Sequence, residues 1–350
     1  MPQFSKRQLA ILEIIKTKGS ASNKDIVGQL KEVSRATIAR DLSFLEKSKI
    51  IAREGKGRGT QYREYLLNSA LRFIDPDEYF KKGPDERAPI YETFEHGLIK
   101  NISSLWSDDE LHVFDEQTAA YRAHIARLPP DILKKEIERL TIDFSWKSSR
   151  IEGNTYSLLD TEFLIKEHQE AKGHAREEAI MILNHKKALE YVWNQKHKYK
   201  TVSRVDIETI HDLAVKDLSI AKGLRKHPVG IVGTRYRPPD NEYQIRENLE
   251  ETLHHINTLS EPFSKALLMI IFISYLQPFA DGNKRTARLL GNAILIAYDA
   301  CPLSFRSVNE SDYKKALILF YEQHSMRFFK DLFLEQYRFA VENYFLSEQN

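Results

Sequence analysis

The stretch QPFADGNKRTAR, residues 277–288, lies between two apolar runs and decides how the larger part of the chain folds. The run before it is ALLMIIFISYL, residues 266–276, and the run after it is LLGNAILIAY, residues 289–298. Runs with so few polar positions are typical of helices that are buried on most sides. Each is shorter than the roughly 18–20 residues that a membrane-spanning helix needs. The pattern therefore predicts a polar loop between two buried helices and no membrane partner.

The loop carries groups that suit a polyphosphate. Asp281 can cap the second helix, and Gly282 lets the backbone turn tightly before it. The N–H groups of Asn283, Lys284 and Arg285 would then point out of the helix start, where the helix dipole favours anions. Arg285 and Arg288 add guanidinium groups on one face.

These residues also suit a metal ion. Mg²⁺ takes one or two protein carboxylates and completes its shell with phosphate and water, so Asp281 is the expected ligand. The expected phosphate-binding residues are Gly282, Asn283, Lys284, Arg285 and Arg288. The alternative is an ordinary capped helix with a solvated basic face.

The order of residues in this loop resembles the signature of the Fic family, His-Pro-Phe-x-Asp/Glu-Gly-Asn-Gly/Lys-Arg-x-x-Arg. The chain meets every specified position except the first, where Gln277 stands in place of the family's histidine. The resemblance implies binding of ATP and Mg²⁺ and transfer of AMP to a Ser, Thr or Tyr hydroxyl of a target protein. The histidine is the general base of that reaction, so Gln277 implies impaired transfer.

A second motif, SSRIEGN, spans residues 148–154. Taken alone, Glu152 and Gly153 are typical of a helix C-terminus. They resemble, however, the Ser/Thr-x-x-x-Glu-Gly/Asn motif of Fic proteins whose autoinhibitory helix precedes the catalytic core, with Ser148 at the first position. The resemblance implies that Glu152 pairs with Arg288 and occupies the place of the γ-phosphate.

Residues 229–236, VGIVGTRY, alternate about Gly233 and predict a short β-hairpin flap beside the site. In the Fic family such a flap holds the target protein by strand addition. The resemblance therefore assigns target binding to Gly230, Ile231, Val232 and Gly233, with Ile231 at the clamping position. The alternative is a structural hairpin that covers the core.

The first 66 residues differ in charge from the rest of the chain. They hold 14 Lys and Arg against 7 Asp and Glu, a net of +7, which leaves −5 for the remainder of a chain whose total is +2. Helices are predicted at 5–18, 22–30 and 34–47, followed over 50–63 by a strand, a Gly-rich turn and a strand. This succession resembles the winged helix-turn-helix of bacterial regulators.

That second resemblance implies a DNA interface. The third helix would enter the major groove with Arg35, Thr37 and Arg40, while Lys56 and Arg58 of the wing would contact the DNA backbone. One domain contacts one half-site only, so DNA binding favours a homodimer. The alternative is that the module docks onto another protein.

Composition places the chain among ordinary globular proteins, with 42% hydrophobic and 29% charged residues over 350 positions. The single cysteine, Cys301, excludes an internal disulfide, and the first residues lack the apolar core of a signal peptide. Both observations favour a cytoplasmic protein.

We expect a mainly α fold, with an all-helical Fic core, a short β-hairpin flap and a small N-terminal winged helix-turn-helix domain. The expected divisions are a winged helix at 1–66, a linker at 67–90, a helical segment at 91–139, a Fic domain at 140–325 and a C-terminal helix at 326–350.

Two classes of function remain open. The first is a protein adenylyltransferase inhibited by Glu152, and the second is a non-catalytic, nucleotide-sensing transcriptional regulator that binds DNA. Gln277 favours the second, whereas the intact phosphate loop, Glu152 and the flap favour descent from the first. A third alternative is an active enzyme into which Gln277 has been introduced.

Overall fold

The structure is a computed structural model that describes residues 4–48, 50–55, 57–65, 69–102 and 104–346, with only the backbone of Arg58. Within these residues the chain is mainly helical and has one small sheet, which confirms the predicted fold class. The chain divides between Ile74 and Asp75 into two compact units.

The smaller unit has three helices and a three-stranded sheet, in which β3 lies between β1 and β2 and pairs antiparallel with both. Ser5, Ser22 and Ser34 cap the three helices through their side chains, and each helix begins within one residue of its predicted start. Apolar residues at helical spacing form the core, among them Ile15, Ile26, Ile38, Leu42 and Leu45. The elements are α1 (Lys6–Lys18), β1 (Ala21–Ser22), α2 (Asn23–Gln29), α3 (Arg35–Lys47), β2 (Ile51–Glu54) and β3 (Gln61–Glu64).

The larger unit is built from helices, and none of those described combines the length and apolar character needed to cross a membrane. They are α4 (Pro76–Tyr79), α5 (Asp108–Arg127), α6 (Pro130–Ile151), α7 (Leu158–Glu167), α8 (Arg176–Asn194), α9 (Arg204–Ala214), α10 (Glu242–Thr258), α11 (Pro262–Leu276), α12 (Asn283–Ala297), α13 (Glu310–Gln323) and α14 (Arg327–Asn343).

Helices α11 and α12 form the centre of this unit. Nearly every residue of both is buried, because α10 and α13 pack on α11 while α8 and α9 pack on α12. The two helices approach closely at Gly291, where a Cβ atom would lie only 2.7 Å from the Cδ1 atom of Ile270. Cys301 follows α12 and is fully buried. The loop of residues 277–282 is therefore anchored at both ends in a tightly packed core.

The boundary between the two units lies inside the segment predicted as a linker, 67–90. Residues 66–68 lie outside the described residues, residues 69–74 group with the smaller unit, and residues 75–90 group with the larger one. The turn signal at Asp75 and Pro76 is a helix start, since the Asp75 side chain caps α4. This turn signal therefore marks a helix start at the boundary between the two units.

The predicted β-hairpin about Gly233 is wrong: no strand is assigned within residues 229–236, all of which the structure describes. Arg237 instead forms an isolated parallel bridge with Thr93. The alternation in the sequence reflects the burial of Tyr236 between exposed Arg235 and Arg237. Side chains from other segments hold the backbone here, so the two halves of the segment do not pair with each other.

Candidate functional site

Gln277 ends α11 in a left-handed conformation, with φ 49° and ψ 60°. Its Nε2 donates a hydrogen bond to the Ser274 carbonyl at 2.6 Å, and its Oε1 accepts one from Asn283 Nδ2 at 3.0 Å. The residue is only 8% exposed. Both ends of the amide are therefore engaged inside the loop.

Asn283 closes the loop from the start of α12. Its Oδ1 accepts from the Phe279 N–H at 2.8 Å, and its Nδ2 donates to the Phe279 carbonyl, also at 2.8 Å. The Phe279 ring stacks on His211 with 3.7 Å between ring centres. His211 in turn donates from Nε2 to the Asp281 carbonyl at 2.9 Å. The loop is thus fixed by side chains and not by regular main-chain pairing.

Gly282 occupies the position that begins α12, with φ +80°. A Cβ atom there would lie 2.7 Å from Cγ1 of Val215, so the position requires glycine for both conformation and space. Asp281 does not cap α12 as predicted, because its Oδ1 accepts only from the adjacent Gly282 N–H, at 2.6 Å. The start of α12 therefore has no side-chain cap.

The two arginines of the loop lie deep in the unit. Arg285 is 3% exposed and contacts the Asp281 carboxylate at 3.4 Å. Burial lowers the pKa of Arg285 from its ordinary value. Arg288 is fully buried and donates from Nε to the Ser148 hydroxyl at 2.8 Å and from Nη2 to the Ser148 carbonyl at 2.9 Å.

Arg288 also pairs with Glu152, whose Oε1 lies 2.8 Å from the same Nη2 atom. Burial opposes the ionisation of Glu152, but the charges of Arg288 and Lys284 outweigh it and hold its pKa below the ordinary value. Burial also opposes the charge of Arg288, yet Tyr313 and Glu152 raise its pKa. Both groups are therefore charged at neutral pH.

The motif of residues 148–154 lies at the end of α6. Glu152 is the residue that follows the helix, and Gly153 takes φ +100°, as a helix C-terminus requires. Lys147 and Arg150 of the last turn both contact Glu310 at the start of α13, at 2.6 and 3.3 Å. The end of α6 is thus tied to α13 as well as to Arg288.

His185 is a site residue that the sequence reading missed. Its Nδ1 lies 2.8 Å from the Met181 carbonyl, which only accepts, so Nδ1 carries the proton. Its Nε2 then accepts from the Ser148 hydroxyl at 2.8 Å, and that oxygen accepts from Arg288. Burial lowers the pKa of His185 to about 3. A lone histidine in the apolar stripe of α8 was the available signal.

The predicted target-binding segment is attached to the loop through Arg225. This buried guanidinium donates to the carbonyls of Gln277 at 2.6 Å, His227 at 2.8 Å and Pro239 at 2.5 Å. Between its ends, Gly230 is exposed, Ile231 is half-buried, and Val232 is 97% exposed. Gly233 turns the chain with φ +87°.

In the smaller unit, Arg35 and Arg40 are exposed on α3, while Thr37 is half-buried. The Thr37 hydroxyl lies 2.9 Å from that of Ser34, so it takes part in the helix cap. Lys56 lies outside the described residues, as does the side chain of Arg58. The structure therefore places two of the five predicted DNA contacts at exposed positions of α3.

Comparison with known families agrees with this geometry. Residues 201–295 match the model of the Fic/DOC family. The chain carries a Fic/DOC-family domain. Residues 7–58 match the DeoR-like helix-turn-helix domain, which covers α1 to α3 and the start of the wing.

Relatives of the Fic domain include proteins named protein adenylyltransferase Fic. The one from Nematostella vectensis is 28% identical over 53% of this chain and 44% of its own length. The one from Drosophila erecta is 27% identical over 72% of this chain and 52% of its own length. The chain thus spans about half the length of the curated relatives that it matches.

Solved structures share the fold of the Fic domain at low identity. Fic-1 (residues 134–508) from C. elegans matches with a TM-score of 0.56 and 20% identity, covering 67% of this chain and 69% of that one. A Fic family protein from Desulfovibrio desulfuricans G20 matches with a TM-score of 0.54 and 22% identity, covering 68% and 74%.

We expect His185 to make the Fic domain less stable in acid. Its pKa is about 3 in the folded chain against an ordinary 6.5, so between these values the unfolded chain binds a proton that the folded chain does not. The stability that the neutral His185 contributes to the folded chain is complete above pH 6.5 and is lost as the pH falls towards 3. The unfolding free energy should fall by up to about 1.4 kcal/mol per pH unit in this window.

Urea unfolding followed by tryptophan fluorescence checks this, because Trp106, Trp146 and Trp193 all lie in the larger unit. His185→Gln should have a shallower slope between pH 6.5 and 4, whereas His112→Gln, which changes an exposed histidine, is the matched control. Equal slopes in the parent and His185→Gln would contradict the assignment.

Proposed function

We propose that the Fic domain binds ATP at the 277–288 loop, that Glu152 blocks this until it withdraws, and that Gln277 leaves only trace transfer of AMP to a protein hydroxyl. The ion pair between Arg288 and Glu152, at 2.8 Å, carries the proposal. A buried guanidinium needs an anionic partner, and a phosphate oxygen has the charge and geometry to replace a carboxylate oxygen.

The start of α12 supports a phosphate ligand. It has no side-chain cap, and the half-buried Lys284 directly precedes the buried Arg285 on α12. Uncapped N–H groups at a helix N-terminus bind anions, and nearby cations strengthen that attraction. The names of the curated relatives favour ATP as the source of the phosphates.

Asp281 fits a Mg²⁺ ion that accompanies the nucleotide. Its side chain is 71% exposed, and although Oδ1 accepts from the Gly282 N–H and Oδ2 lies 3.4 Å from Arg285, each oxygen keeps a further lone pair for a metal. The described part of the chain holds no group of three or more His, Cys, Asp or Glu side chains suited to a metal, which fits an ion bound mainly by phosphate and water. Such an ion neutralises phosphate charge when bound.

Gln277 limits the chemistry. A target hydroxyl has to lose its proton as it attacks the α-phosphorus, and an amide oxygen is far too weak a base to accept it. The Gln277 amide is also engaged with Ser274 and Asn283. His211 does not replace it, because its ring is buried beneath the loop, with Nε2 bound to the Asp281 carbonyl.

We also propose DNA binding by the smaller unit, which makes the alternative function a regulator that senses a nucleotide. The match to a DeoR-like helix-turn-helix domain and the two exposed arginines of α3 favour it over protein docking. The two proposals are independent, since each unit has its own site residues.

Removing the Glu152 carboxylate should expose the phosphate site. We expect Glu152→Gly to bind ATP with Mg²⁺ and to gain thermal stability at millimolar ligand, by about 2.7 kcal/mol when ATP is at a hundred times its dissociation constant. Calorimetry measures both. The parent chain and the double variant Glu152→Gly/Arg288→Ala are the controls, and neither should bind. Absence of heat and of stabilisation in Glu152→Gly would contradict the proposal.

Restoring the imidazole should restore chemistry. Loss of a general base typically lowers a rate by about 10² to 10⁴, so Gln277→His with Glu152→Gly should raise adenylate incorporation at least about a hundredfold over Glu152→Gly alone. Labelled ATP is given to four proteins: the parent, each single variant and the pair. If Glu152→Gly alone labels strongly, another base works here and the assignment of Gln277 is wrong.

DNA binding should depend steeply on salt. If about six phosphates are contacted, the affinity of the full chain for duplex DNA falls roughly a thousandfold between 50 and 200 mM salt. Gel retardation of genomic restriction fragments measures it. Arg35→Ala/Arg40→Ala should weaken retardation at 50 mM salt, whereas Lys18→Ala, which removes a lysine paired with Asp25 on α2, is the control. Failure of the parent to retard any fragment at 50 mM salt favours protein docking.

A further inference from the structure

A buried ion pair braces residues 229–236, the segment that was predicted as a flap. Both residues of the pair lie outside the part of the chain that matches the Fic/DOC model. Arg87 precedes α5, and Glu322 lies in the last turn of α13. Their side chains are only 4% and 1% exposed. Nη2 of Arg87 lies 2.8 Å from Oε1 of Glu322, and its Nε lies 3.0 Å from Oε2, so the pair is bidentate.

The Glu322 carboxylate gathers further donors from separate parts of the chain. Thr234 donates its hydroxyl to Oε1 at 2.6 Å, and Tyr79 donates its hydroxyl to Oε2 at 2.6 Å. Arg87 also donates to the Gly233 carbonyl at 2.5 Å. Loss of either partner would leave an unpaired charge in the interior. The bonded pair therefore favours a single arrangement of these side chains.

These bonds hold the C-terminal end of residues 229–236, while Arg225 ties the neighbouring backbone to Gln277. Beyond Thr234, the Tyr236 hydroxyl donates to the Tyr275 carbonyl at 2.8 Å, close to the end of α11. The Arg237 N–H donates to the Glu92 carbonyl at 2.8 Å. Residues 233–237 are therefore fixed against both α13 and the segment 87–93.

The stretch just before this brace is unpaired. Among the described residues, the backbone of residues 229–232 makes no main-chain hydrogen bond, and the Val232 side chain is 97% exposed. Backbone N–H and C=O groups without main-chain partners are what an incoming strand pairs with, and Val232 and Gly233 form the turn at the end of this stretch. If this edge is held in one conformation before binding, it loses less conformational entropy when a partner strand binds.

We propose that Arg87 and Glu322 are positioning residues that keep residues 229–232 open as an edge for an extended peptide segment of the target protein. This rests on the proposed function for the identity of the partner. The brace itself is independent of nucleotide binding, because neither residue contacts the 277–288 loop in the hydrogen bonds and ion pairs described above.

Hydrogen–deuterium exchange of the full chain tests the brace. We expect Arg87→Met to raise exchange at least about tenfold in peptides that contain Tyr236 and Arg237, the factor that corresponds to one lost charge-assisted hydrogen bond. Arg246→Met, which breaks an exposed pair with Glu242, is the matched control and should leave these peptides unchanged. Unchanged exchange in Arg87→Met overturns the proposal.

A double variant separates positioning from simple stability. Arg87→Met/Glu322→Gln leaves no unpaired buried charge, so its melting temperature should recover towards that of the parent while exchange at Tyr236 and Arg237 stays fast. If exchange recovers together with the melting temperature, the pair serves stability only and the proposal fails.

The effect on the partner is measured in the Glu152→Gly/Gln277→His background with labelled ATP and a cell extract as the source of protein acceptors. Adding Arg87→Met should lower protein labelling about tenfold relative to the competing hydrolysis of ATP to AMP and pyrophosphate. An equal fall in both overturns the proposal. If neither reaction occurs before Arg87 is changed, the result counts against the proposed function. The hydrogen–deuterium exchange result then decides whether Arg87 and Glu322 hold the segment.

Discussion

A permanent positive charge sits at the centre of the larger unit, where solvent does not reach it. Arg288 is fully buried, and its side chain cannot discharge by losing a proton within the ordinary range of pH. An uncompensated charge in such a place would be strongly destabilising, so the surrounding chain has to present an anion to it. The geometry at the end of α6 meets this requirement with Ser148 and Glu152.

The rest of the site depends on how firmly that charge is held. Arg288 and Arg285 lie on α12, which packs along α11 with a glycine at the closest approach. Asn283 then fixes the loop from the same helix by bonding Gln277 and both main-chain groups of Phe279. Under the proposed function, a phosphate reaches Arg288 only after Glu152 withdraws, either by a turn of its side chain or by a shift of the end of α6. The links of α6 to His185 and Glu310 oppose a shift of the helix.

The sequence predicted those parts of the structure that depend on neighbours along the chain. The helices predicted at 5–18, 22–30 and 34–47 correspond to α1, α2 and α3, and the apolar runs on either side of residues 277–288 lie in α11 and α12. The predicted pairing of Glu152 with Arg288 is present at 2.8 Å, whereas the contact of Ser148 with Arg288 was not predicted. In each case the signal lies within a few neighbouring residues, or the resemblance to the Fic family implies which residue the motif pairs with.

Contacts between distant residues escaped that reading. Arg87 and Glu322 are separated by 235 positions, and Arg225 reaches Gln277 across 52. Neither pair leaves a periodic or local trace. The hairpin prediction failed for the same reason, since the alternation about Gly233 is compatible both with paired strands and with an irregular segment held by other elements. His185 was missed because a buried neutral histidine has the same pattern as any core residue of an amphipathic helix.

Cys301 gives the molecule a practical property. It is the chain's single cysteine, it is fully buried, and burial raises the pKa of its thiol well above the ordinary value. Thiolate is the reactive form, so the native chain is close to inert towards maleimides. A cysteine introduced at Val232, which is 97% exposed, would then be the one reactive thiol of the folded protein. A single fluorophore or spin label can thus be placed on the flap segment without first removing a native residue.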